Sequence, residues 1–178
     1  MKEIDVAGAI ILKINEKEKI REVLLIQRSA SDSWRFTWEI PRGKCSKDEK
    51  ILECLKREVK EETGLNIVPM KFIDKYEYIA DRGTRKSTQY NFLCVLDPPN
   101  QKVKLSFEHM KFRWVSAVGE IELLVPPEMK KSISKVLNPE EKIVNYDKQN
   151  EPKDEVNSTQ TKIRENIKLD IYLEYLND

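Results

Sequence analysis

Residues 43 to 65 read GKCSKDEKILECLKREVKEETGL, and four of the five glutamates (Glu49, Glu58, Glu61 and Glu62) and an arginine stand in them at fixed spacings between two glycines. The spacing predicts a helix over 48–63, with Asp48 as its N-cap and Gly64 where a left-handed C-terminal cap belongs. At roughly 100° per residue, Ile51, Leu52, Leu55 and Val59 form one apolar stripe, and Glu58 and Glu62 fall on or beside it. Solvated glutamates belong on the opposite face, where Lys56 and Lys60 lie. Glu58, Glu61 and Glu62 stand at i, i+3 and i+4, so three carboxylates crowd within one turn and repel one another. Arg57 reaches Glu61 at i+4, but one guanidinium does not neutralise three acids. Hard carboxylate oxygens select magnesium, calcium or manganese, which makes a divalent metal site the simplest account. The competing account is a charged helix facing solvent, since glutamate and lysine are good helix formers.

The chain has 178 residues, enough for one domain with a sizeable core and an appendage. Its 32 basic and 31 acidic residues leave a net charge of +1, so no global field draws nucleic acid or an acidic membrane. No apolar run approaches a membrane span, and MKEIDVAGAI lacks the basic start of a signal peptide, so a cytoplasmic protein is expected. Cys45, Cys54 and Cys94 are odd in number without a close pair, which reads as three free thiols.

Outward from the acidic helix, EIDVAGAIILKI (3–14) and IREVLLIQ (20–27) predict a β-hairpin about a polar turn. A loop, 28–37, leads to Trp38-Glu39-Ile40-Pro41. Two longer strands are expected at 71–80 and 84–96 about Asp81-Arg82-Gly83, then a short strand at 112–115. Residues 117–125 and 127–137 read as helices. The organisation is a domain over 1–138, a polar linker over 139–160 and a helical tail over 161–178, which docks on its own domain or on a second subunit. A monomer and a homodimer are both compatible with this. Strands mixed with three or four helices imply an α/β (α+β) class.

Gly43, five residues, Glu49, seven residues, Arg57-Glu58, an aliphatic, any residue, Glu61-Glu62, any residue, Gly64 and an aliphatic make a complete Nudix box. The chain therefore resembles Nudix hydrolases over about residues 1 to 137. The resemblance implies an α/β/α sandwich around a mixed sheet, with a loop-helix-loop catalytic motif. It also implies hydrolysis of a diphosphate linkage in a nucleotide, using Mg2+, with Mn2+ as a possible substitute. By that analogy Glu58 and Glu62 are the principal metal ligands, and Glu61 is a further or water-mediated one. Arg57 orients the cluster. Glu49 supports the loop or binds through water, and the backbone carbonyl of Arg42 is a metal contact. The general base is Glu58 or Glu108.

Substrate signals are local. Trp34 or Phe36 is placed to stack on a base, whereas Trp38 reads as core. Arg28, Arg35, Arg42 and Lys44 form a basic stretch that faces phosphates or solvent, and Arg82, Arg85 and Lys86 form a second basic turn. Glu108 and His109 are compatible with an ordinary polar loop, and the lone histidine carries no catalytic assignment. The run from Arg85 to Leu93 followed by EHMKFRWV is similar to nucleoside triphosphate and dinucleoside polyphosphate hydrolases. Pro41-Arg42-Gly43-Lys44 is similar to messenger-RNA decapping enzymes. Asp81 stands where ADP-ribose hydrolases of the family tend to show proline, and the companion sequences of the coenzyme A and NADH subfamilies are missing. The leading expectation is a pyrophosphohydrolase acting on a dinucleoside polyphosphate or a nucleoside triphosphate. The alternatives are decapping of capped RNA and a nucleotide-binding module without turnover.

Overall fold

A computed structural model describes residues 1–15, 20–31, 34–116 and 125–138. Strand β1 (Lys2–Asn15) lies at the centre of a sheet with β2 (Ile20–Arg28), β3 (Trp38–Glu39), β4 (Arg42–Lys44), β5 (Ile67–Ala80), β6 (Arg85–Leu96) and β7 (His109–Val115). Helices α1 (Ile51–Thr63) and α2 (Pro127–Leu137), with a 3-10 turn at Asp81–Gly83 between β5 and β6, complete the described elements. The strand order is β3-β2-β1-β6-β5, with β4 added to β1 and β7 added to β2. β1 and β6 run parallel while every other pairing is antiparallel, so the sheet is mixed.

Along β1 and β2 the apolar residues are continuous rather than alternating, because both faces of the sheet are covered. Ile10, Leu12, Val23 and Leu25 point to one side and join Met129, Ile133 and Val136 of α2. Ala7, Ala9, Ile11 and Leu24 point to the other and join Ile51, Leu55 and Val59 of α1. Two helices on opposite faces of a mixed sheet are the sandwich that the sequence implies. The first hairpin forms as expected, with Leu12 opposite Val23 and Asn15 opposite Ile20.

Several boundaries differ from the sequence reading for identifiable reasons. α1 starts at Ile51 with Lys50 as N-cap and no side-chain cap bond, and Asp48, the expected cap, has a left-handed φ of 66°. Residues 46–49 instead close a turn: the Glu49 amide donates to the Ser46 carbonyl, and the Ser46 amide donates to the Glu49 carboxylate. At the far end Gly64 takes φ 70° and its amide caps Lys60, as expected. β5 begins at Ile67 rather than 71, with its register shifting at Pro69, which has no amide to give the ladder. β7 begins at His109 rather than 112 because the strand continues along β2 as far as Arg28.

The expectation of three free thiols is overturned. Cys45, just past β4, is disulfide-bonded to Cys54 in α1, and only Cys94 is a free, buried thiol. Nine positions separate the pair in sequence, yet the turn before α1 folds back so that the Cα atoms lie 5.2 Å apart. The helix expected at 117–125 falls largely outside the described residues, as do the linker and the tail. Among the described residues, no helix is long and apolar enough to cross a membrane.

Candidate active site

α1 packs beside β1 and β4 with its apolar stripe inward, and this places Glu58 and Glu62 where the sheet's covering ends. Glu62 is buried and Glu58 half-buried, and both line a cleft of about 510 Å³ together with Arg28, Trp34, Glu39, Arg42, Lys44 and Glu108. Burial raises the Glu58 carboxyl above its ordinary value, against the pull of Arg57. Burial raises Glu62 further, and the neighbouring Glu39 adds to the rise. Burial and neighbouring acids thus raise both carboxyls together.

Arg57 organises the cluster. Its Nε donates to Glu49 Oε1 at 2.7 Å, Nη1 to Glu58 Oε1 at 2.7 Å and to Glu61 Oε2 at 3.2 Å, and Nη2 to the Lys44 carbonyl at 3.2 Å. One planar guanidinium thus ties the loop to three acids of the box. Glu49 spends both oxygens on Arg57 and the Ser46 amide, and its carboxyl is held down at about 2, chiefly by Arg57. These bonds join the turn before α1 to the helix. Glu61 is exposed, on the open side of Arg57. Glu62 is held differently: the Arg42 amide donates to its Oε2 at 2.9 Å. Gly43 leaves room for Glu58, since a Cβ there would lie 1.9 Å from Glu58 Oε2.

Behind these acids lies a buried charge network that the sequence does not reveal. Glu39 is 1 % exposed and pairs with Arg42 Nε at 2.8 Å and with Arg28 Nε. Burial pushes Glu39 up, but Arg42, His109 and Arg28 together outweigh it and hold the carboxyl below its ordinary value. His109 is also buried, with Nε2 3.6 Å from Glu39 Oε1 and 3.7 Å from Glu62 Oε1. These contacts are longer than hydrogen bonds. The register makes the meeting: on β2, Ile26 faces Glu39 and Arg28 faces His109. The only sequence signal was that Glu39 sits in a buried tetrapeptide, where a carboxylate needs a cation.

The basic stretch divides. Arg42 gives its guanidinium to Glu39, to Tyr78 Oη at 2.9 Å and to Gln89 Oε1 at 2.7 Å, so it holds the cleft floor rather than standing free for a phosphate. Lys44 and Trp34 are exposed on the cleft lining, and Trp38 is core, as expected. Arg35 is exposed and is not among the lining residues. Glu108 is exposed at the rim, and its backbone carbonyl accepts from the Ser29 amide. The segment before it is anchored to α1, with the Ser106 amide donating to the Glu62 carbonyl at 3.0 Å.

The NUDIX domain model matches residues 5–137. The m7GpppN-mRNA hydrolase of Saccharomyces cerevisiae is 37% identical over 115 residues, 64% of this chain but 11% of that protein. The chain thus spans about a tenth of that relative's length. The asymmetrical bis(5'-nucleosyl)-tetraphosphatase of Mus musculus is 30% identical over 116 residues, 63% of this chain and 76% of the mouse protein. Among solved structures, the MutT protein from Methanosarcina mazei Go1 superposes with a TM-score of 0.65 at 28% identity, covering 79% of this chain and 97% of that one.

Proposed function

This chain belongs to the NUDIX family, and from that premise we propose that it is a nucleotide pyrophosphohydrolase dependent on a divalent cation. The observation that carries the reading is the pair Glu58 and Glu62, drawn from water into one cleft and raised by burial. Arg57 does not bond to Glu62 among the described contacts, so the guanidinium leaves that acid for another cation. An all-oxygen donor set of this kind suits magnesium or manganese. Glu58 and Glu62 would hold the ion, with Glu61 and the Arg42 carbonyl as further oxygens. When bound, it supplies positive charge for the phosphate oxygens and lowers the pKa of water.

The chain's own side chains do the rest. Arg57 fixes the direction of Glu58 and Glu61, and Glu49 fixes Arg57. The Arg42 amide and the Ser106 contact hold Glu62 and the end of α1 in place. Glu58 and Glu108 are the two candidates to accept a proton from attacking water. Trp34 and Lys44 line the cleft and are the side chains proposed to stack on a base and to meet a phosphate.

The proposed substrate is a dinucleoside polyphosphate or a nucleoside triphosphate, supported by the similarity to the mouse tetraphosphatase across three quarters of that enzyme. The second reading, hydrolysis of capped RNA, is favoured by the 37% identity to the yeast enzyme. Chromatographic analysis of the nucleotide products from diadenosine tetraphosphate, deoxyguanosine triphosphate and a capped oligoribonucleotide, each with and without magnesium, tests both. Turnover of none of them in magnesium would remove the enzyme reading, and turnover of the capped RNA alone would replace the first substrate with the second.

A further inference from the structure

β6 starts at Arg85, and Arg85, Ser87, Gln89 and Asn91 alternate onto one face of the sheet. The latter two are satisfied: Gln89 takes the Arg42 guanidinium and donates to Asn91, and Asn91 donates to Asp74 and Ser132. The first two are not. Arg85 is 9 % exposed and Ser87 is fully buried, yet Arg85 Nε, Arg85 Nη1 and Ser87 Oγ have no hydrogen-bond partner among the described residues. Asp81 Oδ2 lies 3.2 Å from Arg85 Nε outside hydrogen-bond geometry, and its side chain is 56 % exposed, so it offsets only part of the charge. A guanidinium does not deprotonate, and buried donors left unmade are costly. Arg85 lines the same cleft as Glu58 and Glu62, and Lys44 lines it too.

Among the described residues Arg85 shares no hydrogen bond or ion pair with Glu58 or Glu62. It stands four residues before Gln89, where Arg42 docks, which is roughly 13 Å along the strand. A single diphosphate held at Glu58 and Glu62 would leave this charge unanswered. On the reading of the site given above, we infer that Arg85 receives a phosphate of the substrate that lies outside the hydrolysed linkage. It is therefore a specificity-determining residue for substrates with an extended phosphate chain. Phosphate oxygens are strong acceptors for guanidinium donors and would supply partners that Arg85 lacks among the described residues. Asp81 opposes the arriving charge, but its exposure leaves that repulsion screened by salt.

The test compares the parent with R85Q and R85K, after thermal melting shows them folded. kcat/KM is measured in magnesium for diadenosine tetraphosphate and for ADP-ribose, which carries only a diphosphate. R85Q is expected to lower the tetraphosphate value roughly 10- to 100-fold more than the ADP-ribose value, with R85K between parent and R85Q. Equal losses on both substrates, or no loss, overturn the inference. Calorimetric titration of the metal-free protein with inorganic tripolyphosphate reads the same site without turnover. R85Q should bind it at least tenfold more weakly than the parent, and a parent that does not bind, or an R85Q that binds equally, overturns the assignment. If R85Q does not fold, R85K decides: its charge is kept and its fork lost, so parent-like selectivity and binding count against Arg85. Should the parent hydrolyse no nucleotide, the enzyme reading falls while the titration still decides this site.

Discussion

Replacing Gly43 by alanine tests whether the position of one carboxylate sets turnover. The added methyl carbon would lie 1.9 Å from Glu58 Oε2 and 2.0 Å from its Cδ, whereas real contacts of this kind essentially never fall below 3.0 Å. The carboxylate must therefore retreat by at least about 1.1 Å, and it is free to do so because the clash is with the end of a half-buried, rotatable side chain. Gly43 has no left-handed backbone that alanine would strain, so the stability change should stay within about 1 kcal/mol. A displacement near 1 Å at a reacting centre costs roughly 100-fold in rate. G43A should thus show a near-parental melting temperature and a kcat in magnesium about two orders lower. Because the effect runs through Glu58, it should nearly vanish in an E58Q background, the signature of two changes acting on one element. Parental turnover by G43A, or full additivity with E58Q, would refute the reasoning.

Glu62→Gln keeps the acceptor for the Arg42 amide but removes the negative charge, so turnover should fall by at least about 100-fold with the circular dichroism spectrum unchanged; an active E62Q removes the metal role. The pH dependence of stability is a separate handle. The folded-state carboxyl of Glu62 is raised above 4.5, so the folded chain holds that proton more tightly than the unfolded chain, and the penalty grows as pH rises above that value. Metal-free parent should therefore lose more stability than E62Q between pH 5 and pH 8 in urea titrations, and saturating magnesium should restore the parent; parallel pH curves would contradict this. Reducing the Cys45–Cys54 bond opens a loop of nine-residue separation and should cost about 2–3 kcal/mol of stability, measured by denaturant titration with and without dithiothreitol against C45S.

The acidic helix was legible because its information is local: at one turn per 3.6 residues, Glu58 and Glu62 fall beside Leu55 and Val59 whatever the rest of the chain does. Its start was not, because Glu49 is engaged by Arg57 from the following helix and bends residues 46–49 into a turn, leaving Asp48 in a left-handed conformation. Strand boundaries at Ile67 and His109 were missed where pairing to β6 and β2 overrides a proline or a polar start. The disulfide escaped because the fold, not the spacing, brings Cys45 to Cys54. Glu39 and His109 meet only through the register of β2 with both its neighbours, and no property of either residue announces the other. For the same reason Arg42, basic and beside the box, reads as a phosphate ligand until Glu39, Tyr78 and Gln89 are seen to occupy its guanidinium.

The parallel ladder between β1 and β6 joins Lys2 to Arg85 and Leu12 to Val95, partners 83 positions apart. During synthesis, at roughly 5 to 20 residues per second, the opening strand waits about 4 to 17 seconds before that partner has been made. Over that interval its apolar, uncovered edge is a template for unwanted pairing with other chains, and ladders of such long sequence separation also form slowly. Because Tyr78, Arg85 and Glu108 also line it, the acidic cleft is completed only after that wait, and shielding of β1 in the interval should raise the yield of folded protein.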